Sequence, residues 1–258
     1  MILDVNAYLG PFAFRPLRHN TADGLLGLMD AKGIGRAAVS SASAITYRNA
    51  QAGNEELAAE VRGRADRLIP FAVINPAYAG WRDDLQACRE MGFRGLRLYP
   101  GWHRYALSDP ACLELVDAAT AMRLPISIPM RVEDVRNQSW LVNVPEVPLA
   151  EVAALVAARP EARFLLLNGA GFANGPLGRK DSGLPPNYLI EISRMDSVLT
   201  DEIGRLVASL GADRLAFGTG MPFHYPDISL LKLEALRVDE ADRRRIAGAN
   251  AESWLGPA

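Results

Sequence analysis

Alternation along the apolar run Ile2–Leu9 puts Asp4, Asn6 and Tyr8 on one face of an extended segment. The same period pairs Arg97 with Tyr99, Ser127 with Pro129 and Glu191 with Ser193 in three later runs. These are residue types that hold an anion and move a proton. A buried arginine is costly unless it meets a carboxylate, so Arg97 calls for Asp4, Glu191 or the carboxylate of a ligand. Arg131 and Arg194 stand just past two such runs, and convergence of two of these three arginines would suit a small anionic compound bearing a carboxylate. Tyr99, Asn168 and His224 complete the candidate substrate-binding set. His103 is the candidate acid–base group, because an unperturbed imidazole titrates near neutrality. Glu191 is a second proton carrier, and Tyr8 or Asn6 can donate to a developing oxyanion. Plainer roles stand beside these: an internal ion pair for Arg97, a hydrogen-bonded histidine, an anchoring role for Asp4.

Other chemistries have no support. Gly169-Ala170-Gly171 follows an apolar run, but Gly175 is wrongly spaced for a dinucleotide fingerprint and no helical pattern follows. A phosphate-binding Walker loop, a Gly-x-Ser-x-Gly elbow and a His-Glu-x-x-His motif are all lacking, and the only histidines are His19, His103 and His224. A formal net charge of −2 argues against a nucleic-acid partner. The one basic run, Arg243-Arg244-Arg245, is interleaved with Asp239, Glu240 and Asp242 as on a solvated helix face. Cys88 and Cys112 lie far apart and outside any Cys-x-x-Cys pair, which fits packed thiols in a cytoplasmic protein. The expectation is neither a secretory signal nor a membrane span.

The elements that must position these residues are legible as eight short apolar runs: Ile2–Leu9, 37–41, 68–75, 95–99, 125–130, 163–168, 188–193 and 215–219. They are rich in Val, Ile, Leu and Phe, as strands buried on both faces should be. Helical periods fall between them at 55–63, 81–91, 111–122, Leu149–Ala158 and 201–210, with Asp109-Pro110 opening one helix and Gly211 closing another. Repeated βα units predict a parallel sheet, and 258 residues with eight strands predict one (β/α)8 TIM barrel over residues 1–258. Residues 169–187 hold five glycines and three prolines without a helical period, and are expected to form a loop over the C-terminal mouth.

Asp4-Val5-Asn6-Ala7-Tyr8 resembles the Asp-x-His-x-His opening strand of the amidohydrolase superfamily, in its amidohydrolase-related (family 2) branch. Gly92-Phe93-Arg94-Gly95-Leu96-Arg97-Leu98-Tyr99-Pro100 resembles that branch's fourth strand, and Leu124-Pro125-Ile126-Ser127-Ile128 its fifth. Leu215-Ala216-Phe217-Gly218-Thr219-Gly220-Met221-Pro222-Phe223 resembles the eighth, usually Phe-Gly-Thr-Asp-x-Pro-Phe. Ile246-Ala247-Gly248-Ala249-Asn250-Ala251 resembles the closing helix. The resemblance implies a divalent metal held by two strand-one histidines, a histidine of strand five or six, and the strand-eight aspartate. Here Asn6 and Tyr8, Pro129, Asn168 and Gly220 stand at those positions, so no metal and no other cofactor is expected.

The degenerate site leaves two readings. One is a metal-independent hydrolase of a lactone or ester-like bond, or a lyase, acting on a small carboxylated substrate. The other is a catalytically inactive homologue serving as a small-molecule binder or partner subunit. The resemblance also implies a homodimer. Elemental analysis of protein expressed with added zinc and manganese is expected to find no stoichiometric metal; a full equivalent would overturn the reading of the ligand positions.

Overall fold

The computed structural model describes residues 1–197 and 199–256. The strands are β1 (Ile2–Leu9), β2 (Ile34–Ser41), β3 (Leu68–Val73), β4 (Gly95–Arg97), β5 (Ile126–Pro129), β6 (Phe164–Leu167), β7 (Tyr188–Glu191) and β8 (Leu215–Ala216). Each pairs in parallel with the next, in sequence order. The segment after β8 then returns to β1. The amides of Val5 and Tyr8 donate to the carbonyls of Phe217 (3.0 Å) and Met221 (2.9 Å), and Gly220 donates to Asn6 (2.7 Å). The sheet thus closes on itself as a single-domain (β/α)8 barrel.

The helices are α1 (Ala22–Ala31), α2 (Ala50–Glu60), α3 (Trp81–Glu90), α4 (Pro100–His103), α5 (Pro110–Ala121), α6 (Leu149–Ala158), α7 (Glu202–Leu210), α8 (Pro226–Ala235), α9 (Glu240–Arg244) and α10 (Asn250–Leu255). Local chemistry sets several ends. Thr21 and Asp201 cap α1 and α7 through their side-chain oxygens, and proline opens α5 and α8. Strand residues such as Leu96, Ile128, Leu166 and Ile190 pack outward with α-helical residues such as Leu25, Leu115 and Leu206. Cys88 and Cys112 are buried free thiols in this packing. Among the described residues no helix is long and apolar enough to cross a membrane.

Simple alternation fails in β1. Leu3 and Val5 join the interior group with Ile69, Phe71, Leu165 and Leu167, whereas Ala7 and Leu9 join the outer layer and Tyr8 packs with Val73 and Tyr99. The register against β2 shifts between Asp4 and Ala7, so three steps on β1 match two on β2. This bulge reverses the phase of the strand. Asp4 therefore does not share a face with Tyr8, as strict alternation predicted. It turns to the segment after β8, where its carboxylate accepts from the Asn6 amide (2.8 Å), the Thr219 amide (3.1 Å) and the Thr219 hydroxyl (2.5 Å).

The segment 169–187 does not cover the mouth. Phe172 and Leu177 are buried in the outer layer, Ser209 of α7 donates to the Gly178 carbonyl (2.6 Å), and Arg205 donates to Asn174 (3.1 Å). The segment stands where a helix between β6 and β7 would stand, because its two large apolar side chains gain more from that wall than from water.

Burial raises the Asp4 carboxyl to about 7, with the nearby Glu191 adding to the effect and the three hydrogen bonds opposing it. A carboxyl raised in the folded state contributes stability that is full below its unfolded value and is lost as pH climbs through the folded value. Stability should therefore fall between about pH 4 and 7, by up to about 4 kcal/mol from this group. Asp4→Asn keeps an acceptor for the two amides and is expected to flatten that slope in thermal melts; an unchanged slope would refute the assignment.

Candidate active site

The interior candidates form a closed network. Arg97, from β4, is fully buried beneath the β1 bulge. Its Nη1 and Nη2 donate to the carbonyls of Ala7 and Val5 (both 3.1 Å), and its Nε donates to the Ser127 hydroxyl (3.0 Å). The guanidinium carbon also lies 4.9 Å from the centroid of the Tyr8 ring and 5.8 Å from that of Phe71. Phe71 reaches this position because Gly95 leaves it room: a Cβ there would lie 2.3 Å from the ring. Neither Asp4 nor Glu191 pairs with Arg97 among the described residues; backbone carbonyls exposed by the bulge meet its charge instead.

Glu191, at the end of β7, is equally buried. Its Oε2 accepts from the Asn168 amide (2.8 Å), the Ser193 hydroxyl (2.9 Å) and Asn6 Nδ2 (3.3 Å), while Oε1 accepts from the Ser193 amide. Burial raises its carboxyl above the usual range. Tyr8 is sealed by Phe223, with ring centroids 4.9 Å apart, and burial raises its phenol well above the ordinary value. The Tyr99 hydroxyl lies 3.3 Å from Ser40 Oγ. His103, on α4, sits apart: Nε2 is 3.2 Å from the Ala44 carbonyl, and burial lowers its pKa.

The remaining candidates meet elsewhere. Arg131, Asn168, Arg194 and His224 line one cleft of about 900 Å³ at the C-terminal mouth. Its described lining has seven arginines and lysines against two aspartates. Arg131 and Arg194 converge on one carboxylate, that of Glu146 from the loop between β5 and α6. Arg194 meets it with both terminal nitrogens at 2.8 Å, and Arg131 Nη1 lies 3.3 Å away. Asn168, held at φ +52°, donates from Nδ2 to the carbonyls of Arg131 (2.8 Å) and Val132 (3.1 Å). The His224 imidazole is pushed down to about 4 by burial, then by the charges of Arg15 and Arg131, so it is neutral at physiological pH; its Nε2 has no partner.

Four contributors were missed by the sequence reading. Arg15 follows β1 in a stretch without any period and pairs with the buried Glu133 at 2.7 Å. Glu146 sits among prolines and carried no signal. Lys232, which donates to the Ser193 carbonyl and whose pKa burial lowers, lies on α8. Tyr225-Pro226 could have announced that helix, since proline favours the first helical position.

The positions where the resemblance implies a metal do not fit one. Asn6 and Asn168 offer amides, Tyr8 a neutral phenol and Pro129 no donor at all. At Gly220, φ is +73° and an added Cβ would lie 2.6 Å from His224 Cδ2, so the imidazole fills the space of the family's aspartate. Among the described residues no three His, Cys, Asp or Glu side chains cluster as a metal site.

Comparison with known proteins agrees with this architecture. A 2,6-dihydroxybenzoate decarboxylase solved with 2,6-dihydroxybenzoate is 21% identical with TM-score 0.73, over 99% of this chain and 98% of that one. A dihydroxybenzoic acid decarboxylase from Polaromonas sp., with manganese and the inhibitor 2-nitroresorcinol, is 18% identical with TM-score 0.74, over 98% and 96%. A probable 2-pyrone-4,6-dicarboxylic acid hydrolase from Acinetobacter baumannii, with citric acid, is 12% identical with TM-score 0.66, over 99% of both chains. No curated protein matches by sequence. The family model described as Amidohydrolase matches residues 5–164, more than half of the 258 residues. The chain, a closed (β/α)8 barrel, belongs to the amidohydrolase family.

Proposed function

We propose that this protein is an enzyme that works without the family's metal, as a lyase or as a hydrolase of a lactone or ester-like bond, on a small carboxylated aromatic substrate. The observation that carries the reading is the convergence of Arg131 and Arg194 at the rim of a cleft that is also lined by Asn168, Thr219 and His224. Two guanidiniums bind a carboxylate strongly and fix its plane. The ligands of the structural relatives, a dihydroxybenzoate and citric acid, are small carboxylates.

In the lyase form the bond from ring to carboxyl carbon breaks, its electron pair stays on the ring carbon, and that carbon takes a proton. In the hydrolase form water adds to the carbonyl and the leaving oxygen takes the proton. Either way one group in the cleft must carry a proton, and His224 is that group. Its imidazole is neutral because burial, and then the charges of Arg15 and Arg131, oppose its protonation; an arriving anion offsets those two charges and raises its basicity. Without a Lewis acid the substrate must be more activated than an ordinary amide. Catalysis thus moves to the mouth, away from His103 and from the sealed Tyr8, Asn6 and Glu191.

A second reading, a binder without turnover, is favoured by that same sealing: Asn6, Asn168 and Glu191 bond to one another and are closed to solvent. One experiment separates the two. Chelator-treated protein is incubated with 2,6-dihydroxybenzoate and with 2-pyrone-4,6-dicarboxylate, and both binding and consumption are followed. Consumption that survives chelation is expected. Binding without consumption selects the second reading, and activity that returns only with added manganese overturns the metal-free assignment. Arg131→Ala and Arg194→Ala should each weaken binding of the acid about ten- to a hundredfold, the range for a charge-assisted hydrogen bond; unaffected binding would remove the cleft from consideration.

A further inference from the structure

Resting on that reading, we infer that Glu146 occupies the subsite of the ligand's carboxylate and leaves it when the ligand binds. Three features of the contact point to this. The carboxylate of Glu146 is held as a substrate carboxylate would be, with Oε2 on Arg194 Nη1 (2.8 Å) and Oε1 shared by Arg194 Nη2 (2.8 Å) and Arg131 Nη1 (3.3 Å). This fork-to-fork geometry is the one a planar carboxylate prefers. Glu146 is also the replaceable partner, since its side chain is 43% exposed whereas those of Arg131 and Arg194 are 13% and 23% exposed. An exposed ion pair contributes about 0–1 kcal/mol, so exchange for another carboxylate is cheap. Arg131, in contrast, is fixed from behind: it also meets Asp134 at 3.4 Å, and its carbonyl accepts from Asn168.

Other carboxylates near the cleft do not share these properties. Glu133 is buried against Arg15, and displacing it would strand a charge in the interior. Asp134 is tied to Arg136 at 3.0 Å as well as to Arg131.

The consequence is a filter. A ligand must carry a carboxylate to displace Glu146, and it must carry a second feature, because one carboxylate merely replaces another. That feature must reach Asn168, Thr219 or His224, which line the cleft together with Arg131 and Arg194. The ligand class is therefore a carboxylic acid that bears a second polar group, rather than a simple aliphatic monoacid.

The test is a double-mutant cycle on binding, measured by calorimetry with 2,6-dihydroxybenzoate, with resorcinol as the ring lacking a carboxylate. Glu146→Gln should tighten binding of the acid by roughly threefold or more, up to the fivefold that an exposed ion pair is worth, and leave resorcinol unchanged. In an Arg194→Ala background the gain should vanish, because no fork remains to be contested. A gain that persists without Arg194 would mean a general charge effect and overturn the proposal. Unchanged or weaker binding in Glu146→Gln would overturn it while leaving the cleft reading intact, provided Arg194→Ala alone still weakens the acid. If wild-type protein binds neither compound, both fall together.

Discussion

A guanidinium and two carboxylates buried in one barrel set the terms for everything else in this molecule. Arg97, Asp4 and Glu191 are each shut off from water, and a buried charge is tolerated only where its hydrogen bonds are made. The chain meets the condition with backbone rather than with ion pairs. The bulge in β1 presents the carbonyls of Val5 and Ala7 to Arg97, and the turns after β6, β7 and β8 present amides to Glu191 and Asp4. The barrel therefore closes around its polar centre by the same contacts that join β1 to the segment after β8.

That solution has a functional cost. A centre whose charged groups are already hydrogen-bonded has little charge left to offer a ligand, and aromatic rings from the loops after β1 and β8 cover it. Phe12 packs edge-on against Phe223 at 4.9 Å and against Trp102 at 5.9 Å, and Phe223 covers Tyr8. On the function proposed above, chemistry lies at the rim, where loops are held by the rigid barrel yet still meet solvent. Positive charge gathers there, and the imidazole of His224 has come to rest over Gly220, in the space an aspartate would need.

Much of the framework was readable before any coordinates. The eight runs fell on the eight strands, and the periods at 81–91 and Leu149–Ala158 fell on α3 and α6. Arg131 and Arg194 do converge, as their places just past β5 and β7 suggested. Other residues escaped for physical reasons. The bulge between Asp4 and Ala7 leaves no trace in the order of polar and apolar residues, because it depends on pairing with β2. Residues 169–187 read as a loop over the mouth because glycine and proline mark a loop; which wall Phe172 and Leu177 would enter depended on α6 and α7 being in place. Arg15 and Glu133 are 118 residues apart, and their pairing follows only from the return of both loops to the same mouth.

Residue order alone decided the repeating βα pattern, hence the parallel barrel, and it decided that the donors a family metal needs are missing. Both follow from local properties: hydrophobic period sets strand and helix, and a side chain either has a metal donor or has none. Tertiary structure alone decided which polar residues are spent inside and which remain for a ligand. Hydrogen-bond satisfaction and desolvation are properties of surroundings rather than of residue type, so Arg97 and Arg194 look alike in the sequence and differ completely once the barrel has closed.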